Sequence, residues 1–424
     1  MEYQRTLGPL QGIAMTVTTF IGTGLMLLPA LSVSQSHGFA LYAWLITTAI
    51  VLPVAFIFAL LGGRFPSAGG ASHYIGRAFG KKAEKAVGWL FLSILFVGPA
   101  VAIKIAAAYL AVALNLTQDS VFILSIITVF ATALYALAGV KNSSHFQSIV
   151  VIGLITVVVL LAWQGDLLGA TKMIETPTTW TQWQTAFLAI GTIFWCFIGI
   201  EVMAHMGAEF KNPARDFPIA LLGGMLIVIA LYLALVLLIA QHHTYGDEIT
   251  NSQSLALLVG HIFGEHAKKL FAIGAFIIAF ANTGMYLLGF ARMVQSMSSQ
   301  GALPSIFSHL SKHGTPVYAV YLVAGLTLSS ILLGHFSGWS LHWFIEMTNG
   351  AFLLIYTLTC ITSLRLLPNK QKWLGLLASA TCLLMTTLVG ISMLFALCIF
   401  VTAAFFEYHK GRKKRIPDHQ IHVQ

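Results

Sequence analysis

Twelve long apolar stretches take up most of this chain, and each is about as long as a bilayer-crossing helix. They run over 9–33, 39–62, 86–114, 120–140, 147–164, 185–206, 217–241, 267–292, 317–335, 340–362, 372–389 and 391–408. About 20 mostly apolar residues are needed to cross the hydrocarbon layer as a helix. The pattern predicts an all-α membrane protein with 12 transmembrane helices in one polytopic domain over 1–408, followed by a basic tail at 409–424. Composition excludes the other classes. Only 9% of residues are charged, against about 25% in a soluble domain, so a water-soluble enzyme is ruled out. With 29 Phe, 12 Tyr and 9 Trp the chain is far too aromatic to be disordered. Cys196, Cys360, Cys382 and Cys398 all lie inside apolar stretches. That placement predicts no disulfide framework, no metal site and no cofactor.

Charge placement orients the spans. With the N-terminus in the cytoplasm, 19 of the 23 Lys and Arg residues fall on the inner side and Lys172, Lys268 and Lys269 on the outer side. Lys104 lies within a span. Lys and Arg collect in cytoplasmic loops, so the split predicts an even span number and two cytoplasmic termini. The formal charge of +9 reflects this topology and does not call for a nucleic-acid partner. The first stretch is too long for a cleaved signal, and its removal would invert every later loop.

Two spans carry breaks. The first contains Ile21-Gly22-Thr23-Gly24 followed by Pro29, and the sixth contains Phe194-Trp195-Cys196-Phe197-Ile198-Gly199-Ile200-Glu201. Unwound backbone at mid-membrane survives only where it lines a cavity or is buried in protein. Spans one and six occupy matching positions if spans 1–5 (about 9–164) and 6–10 (about 185–362) form a five-plus-five inverted repeat, with two extra helices over about 372–408. Interrupted helices in matching positions point to a transporter binding site. The competing explanation for either glycine alone is close helix packing through small residues. A broken helix offers a positive N–H end to a carboxylate and a carbonyl end to an ammonium. Two of them can hold an amino acid backbone with few charged side chains.

Three charged residues lie well inside the spans: Lys104, Glu201 and Glu346. Each costs about 2.5–3.5 kcal/mol to insert and is therefore a functional candidate. Lys104 and Glu346 lie at matching depth and opposite sign, which suggests an ion pair in the outer vestibule. The alternative is that each snorkels separately to the surface. Glu201 is a candidate proton-coupling carboxyl or a structural acceptor for backbone N–H groups. His37, His73, His145, His205, His242 and His243 sit at span ends or in loops and read as interfacial, as do the Trp and Tyr residues near span ends. Trp195 is the exception, beside the break.

At this point the motifs form a known set. Ile21-Gly22-Thr23-Gly24-Leu25-Met26-Leu27-Leu28-Pro29 resembles the first-helix signature of the amino acid–polyamine–organocation (APC) superfamily. Phe194 to Glu201 resembles its sixth-helix signature, and Lys211-Asn212-Pro213 with Arg215 and Pro218 the loop that follows. Pro66-Ser67-Ala68-Gly69-Gly70 is similar to the loop after helix two, and Arg292 with Gly301-Ala302-Leu303-Pro304 to the loop after helix eight. Within the superfamily the chain is most similar to bacterial exporters of L-methionine and branched-chain amino acids. The run through Ala204-His205, Glu209-Phe210 and Arg215-Asp216-Phe217-Pro218 carries that likeness, with Trp89-Leu90-Phe91-Leu92-Ser93.

The resemblance implies alternating access and efflux of neutral amino acids across the bacterial inner membrane. It implies that Gly22, Thr23 and Gly24 bind the carboxylate through backbone groups. The carbonyls of Phe20, Trp195 and Ile198 would take the ammonium next to Gly199, with Trp195 as an aromatic gate. Met15, Phe20, Phe194, Trp195, Met285 and Tyr286 are candidate wall residues, suited to uncharged side chains. Span five carries no lysine in place of a sodium ion. Asn282 and Thr283 supply only part of a sodium ligand set. These residues leave the coupling ion and the direction of flux open, and the expectation is export by proton antiport. An importer or exchanger of another amino acid, a channel and a non-transporting sensor stay as competitors. An intramembrane enzyme is disfavoured because no nucleophile–base pair or metal-ligand set occurs in the spans.

Overall fold

The first apolar stretch folds as two helices rather than one. α1 (Pro9–Ile21) begins on a proline, whose fixed φ and missing N–H suit a first helical position. It stops at Gly22, and α2 (Gly24–Ser36) restarts two residues later. Each half has 13 residues. At 1.5 Å per residue that is about 20 Å, short of the ~30 Å hydrocarbon layer. The computed structural model describes residues 5, 7–67, 69–117, 119–138, 144–299, 301–311, 315–390 and 392–413, with backbone alone at 144–151 and 410–413. Lys141, Lys312, residues 414–424 and the side chains of His145, Lys410, Arg412 and Lys413 lie outside what it describes.

After a short 3-10 turn come α3 (Ala40–Arg64), α4 (Gly70–Phe79), α5 (Lys81–Leu114), α6 (Ser120–Leu137), α7 (Ser144–Gln164) and the one-turn α8 (Leu167–Ala170). The sixth stretch is again divided, into α9 (Trp180–Leu188), α10 (Ile190–Phe194) and α11 (Ile200–His205). Then follow α12 (Pro213–Gln241), α13 (Glu248–Phe263), α14 (Glu265–Ser299), α15 (Val317–Phe336), α16 (Leu341–Leu366), α17 (Lys372–Val389) and α18 (Ser392–Lys413). The only β pairing among the described residues is a single bridge, Leu7 with Phe210.

Ten helical units among the described residues are long and apolar enough to cross a membrane. The number is eleven if the pair 152–164 and 167–173, bent by 76°, is one span. The expected number was twelve. The difference arises because Gly24–Arg64 runs on as one 41-residue unit, which leaves α1 as a separate short apolar helix.

The bundle is held by apolar packing with an apolar exterior. Trp44, Tyr109, Tyr232, Tyr356, Phe58 and Phe344 are fully buried. Leu134, Trp163, Leu226, Val401 and Phe405 are exposed, as suits a surface wetted by lipid chains. α5 crosses the centre and packs on α14, α6, α16, α15 and α18, while α12 packs on α1, α2 and α3. α10 packs on α3 and α16 and α11 on α3, so both divided segments lie against long continuous helices.

Candidate functional site

The two breaks face one cavity of ≈ 80 Å³. In the first break Gly22 has φ +23° and ψ −138°. In the second Gly199 has φ +131° and ψ −14°. Both lie at positive φ, which residues with a Cβ rarely adopt. A Cβ on Gly22 would lie 2.8 Å from Asn282 Nδ2, and one on Gly199 would lie 2.9 Å from Thr19 Cγ2. Backbone shape and close packing therefore demand glycine at both points.

Buried tyrosines donate to carbonyls at the breaks and in the helix that follows the first one. Tyr232 O–H donates to Phe20 O at 3.2 Å, and Tyr109 O–H to Met26 O at 3.0 Å. Tyr356 O–H reaches Phe197 O at 3.3 Å and also donates to Glu201 Oε2. The same oxygen accepts the Gly199 N–H at 3.1 Å. Glu201 thus accepts a backbone N–H at the second break and a tyrosine hydroxyl. Trp44 stacks on Tyr232 with centroids 4.7 Å apart, and its indole N–H donates to Ser32 Oγ at 2.9 Å. This backing fixes the Tyr232 ring.

Of the residues expected to bind substrate, Phe20, Gly22, Thr23, Gly24, Trp195 and Ile198 all line the cavity. Gly199 is not in the lining and instead sits behind it against Thr19. Among the wall candidates Phe20, Trp195 and Tyr286 face the cavity, but Met15, Phe194 and Met285 do not. Phe194 is buried edge-on against Tyr356, 5.8 Å between centroids. Being next to the break in sequence does not fix which way a side chain points, because the 3-10 turn Trp195–Phe197 rotates successive residues to different sides.

The sequence reading missed part of the wall. Ile94, Gly98, Pro99 and Ala102 of α5 line one side. Thr348 and Phe352 of α16 join Asn282, Thr283 and Phe290 of α14 on the other sides. The mid-span Gly98-Pro99 pair was the available signal for α5; the α16 residues carried none. Tyr109 and Tyr356, which the sequence reading did not single out, donate to buried carbonyls.

Among the described residues no Asp, Glu, Lys, Arg or His lines this cavity. A zwitterion held there must meet its charges with backbone and hydroxyl groups. Thr23 N–H has no backbone acceptor among the described residues, and α2 starts immediately after it, with its positive end at the cavity. The Phe20 carbonyl keeps one lone pair beyond Tyr232, as does the Trp195 carbonyl beyond the Ile198 N–H at 3.0 Å.

The expected vestibule ion pair is not formed. Lys104 Nζ lies over the Phe344 ring, 4.8 Å from its centroid, and α13 packs on its helix. Glu346 Oε1 instead lies 3.1 Å from His342 Nε2, one turn away on α16. The tertiary path packs α13 on α5 and turns Glu346 to its own helix, which matching depth along two spans could not reveal. Glu248 Oε1 accepts the Leu341 N–H at 3.1 Å, at the start of α16. Of the histidines, His242 Nε2 contacts Gly165 O at 3.1 Å and His205 lies 6.2 Å from the Phe91 ring.

An apolar, multi-helical protein whose two broken helices meet at one cavity has the architecture of a membrane transporter. The chain belongs to the amino acid permease family, whose profile matches residues 7–416, within the APC superfamily. It is 31% identical over 394 residues to the L-methionine/branched-chain amino acid exporter YjeH of Escherichia coli (strain K12), covering 93% of this chain and 94% of that protein. It is 26% identical to the uncharacterized amino acid permease YecA of Bacillus subtilis (strain 168), with 99% of each covered. It is also 26% identical to the serine/threonine exchanger SteT of Bacillus subtilis (strain 168), over 78% of this chain and 77% of that protein.

Proposed function

We propose that this protein exports neutral amino acids, L-methionine with leucine, isoleucine and valine, from the bacterial cytoplasm across the inner membrane by alternating access and proton antiport. The observation that carries the reading is the uncharged cavity between the breaks at Gly22 and Gly199. It has donors for a carboxylate, acceptors for an ammonium and an apolar wall for the side chain. The likeness to YjeH supports the substrate class and direction. In this reading α1 with α2 is one interrupted span and α3 the next, which restores twelve spans, two cytoplasmic termini and a five-plus-five repeat. A 41-residue helix would be about 60 Å long, twice the hydrocarbon layer, which supports dividing Gly24–Arg64 in two.

The substrate carboxylate is assigned to the N–H groups of Thr23 and Gly24. Its ammonium is assigned to the carbonyls of Phe20, Trp195 and Ile198, and Trp195 closes over the side chain. Trp195→Ala is expected to raise the apparent KM for methionine about tenfold with little change in expression, since aromatic contact and burial together contribute roughly 1.5 kcal/mol. Unchanged kinetics would remove the gate role.

Glu201 is proposed to carry the coupled proton. Its Oε2 accepts from both Gly199 N–H and Tyr356 O–H. Protonation would weaken an acceptor on which the second break depends, so proton and backbone geometry are linked. Glu201→Gln should flatten the pH dependence of efflux and lower the melting temperature, because a buried donor left unpaired costs about 1–3 kcal/mol. A variant with the wild-type pH profile would leave Glu201 as an acceptor only.

The deciding experiment loads liposomes containing the purified protein with labelled methionine and follows efflux with and without an imposed proton gradient, at fixed sodium. Saturable efflux that leucine inhibits and external protons accelerate is expected. Saturable efflux blind to the gradient would make the protein a facilitator, exchanger or sodium-linked carrier. Absence of methionine flux would overturn the substrate assignment.

A further inference from the structure

Away from the transport cavity, a groove of ≈ 460 Å³ runs between α5 and α18. Trp89, Ile399, Ala403 and Phe406 line it, with Cys398 at one end and Thr402 on its open side. Cys398 to Phe406 spans about 12 Å of helix, and Val401 and Phe405 beside it are exposed to the lipid phase. One end of this apolar track is charged. Trp89 Nε1 donates to Glu407 Oε1 at 3.2 Å, and Lys85 Nζ lies 4.0 Å from Glu407 Oε2. Lys82 Nζ sits 4.4 Å above the Tyr408 ring, and Lys81 is exposed next to it. Glu407 is buried and already engaged by Trp89 and Lys85. Glu84, the other acid of this helix start, turns toward Gly76 of α4. Lys81 and Lys82 therefore stand as cations without an acidic partner among the described residues.

A hydrocarbon track with an aromatic residue and two uncompensated lysines at one end matches an acyl chain with an anionic headgroup. Juxtamembrane lysines attract anionic lipid, and Trp and Tyr sit at headgroup level. We propose that this groove is a seat for one anionic phospholipid, its acyl chain along α18 between Trp89 and Cys398 and its phosphate at Lys81 and Lys82. The lipid would fill the gap that α5 and α18 leave between them and so hold α18 against the bundle. Nothing in this assignment depends on which amino acid is carried.

The test is native mass spectrometry of the full-length protein released from detergent, titrated with phosphatidylglycerol or with phosphatidylcholine of the same acyl chains. One retained phosphatidylglycerol per protein is expected. Its preference over phosphatidylcholine should drop about 25-fold in Lys81→Gln/Lys82→Gln, about fivefold per lysine. Thr402→Trp, which fills the groove from its open side without entering the core, should abolish retention of either lipid. Equal retention of the two lipids, or retention untouched by Thr402→Trp, would overturn the proposal. A dimer that falls apart in Thr402→Trp would also overturn it, by giving the groove to a second copy of the chain.

Discussion

Thr23→Pro is expected to cut methionine transport by about tenfold to a hundredfold while the protein still inserts and folds. The substitution removes one N–H group and disturbs little else. Thr23 already has φ −79°, close to the value a proline ring imposes. Gly22 before it has ψ −138°, outside the helical region that proline disfavours in its predecessor. No backbone carbonyl among the described residues accepts the Thr23 N–H, so no internal hydrogen bond is lost. What disappears is a donor to the substrate carboxylate, and a hydrogen bond to a charged group contributes about 1.5–3 kcal/mol. The check is efflux from proteoliposomes beside a melting curve of the same preparation. Transport near the wild-type rate would remove the carboxylate assignment, whereas a collapsed melting temperature would point to structure instead of binding.

Gly199→Val should abolish transport and lower the melting temperature together. At φ +131° and ψ −14° only glycine is unstrained. A Cβ there would also press to within 2.9 Å of Thr19 Cγ2, across the gap to the first break. Strain of this kind costs about 1–3 kcal/mol before packing is counted. The chain can escape only by moving the Gly199 N–H away from Glu201 Oε2 or by driving α1 outward. Either movement deforms the cavity. Gly22→Val strains the first break in the same manner, against Asn282. Gly153→Val on α7, where a Cβ meets nothing within 4 Å, is the matched control and should transport normally. A fully active Gly199→Val would mean that the second break adopts another geometry during the cycle.

The two variants probe different links in one chain of causes. Thr23→Pro tests whether backbone donors bind substrate. Gly199→Val tests whether the second break must keep its shape for the cavity to exist. Loss of transport with an intact fold in the first, and loss of both in the second, is the pattern that the geometry requires.

The sequence by itself determined the membrane class and the two breaks. Both are local properties. About 20 apolar residues in succession can satisfy their backbone only as a helix in lipid, and glycines beside polar residues at mid-span interrupt that helix wherever it packs. Six of the seven residues named for the substrate site therefore face the cavity. Tertiary structure alone decided the rest. The carbonyls at the two breaks are met by Tyr232 and Tyr356, and Met26 O of α2 by Tyr109; these tyrosines lie 212, 159 and 83 residues away from their partners. No periodicity announces such a pairing. Lys104 likewise came to rest over Phe344, while Glu346 met His342. Depth along a span is readable from sequence, but the neighbour across the bundle depends on how each helix is rotated and tilted. Packing against all its neighbours at once fixes that rotation, and the residues of one helix do not contain it.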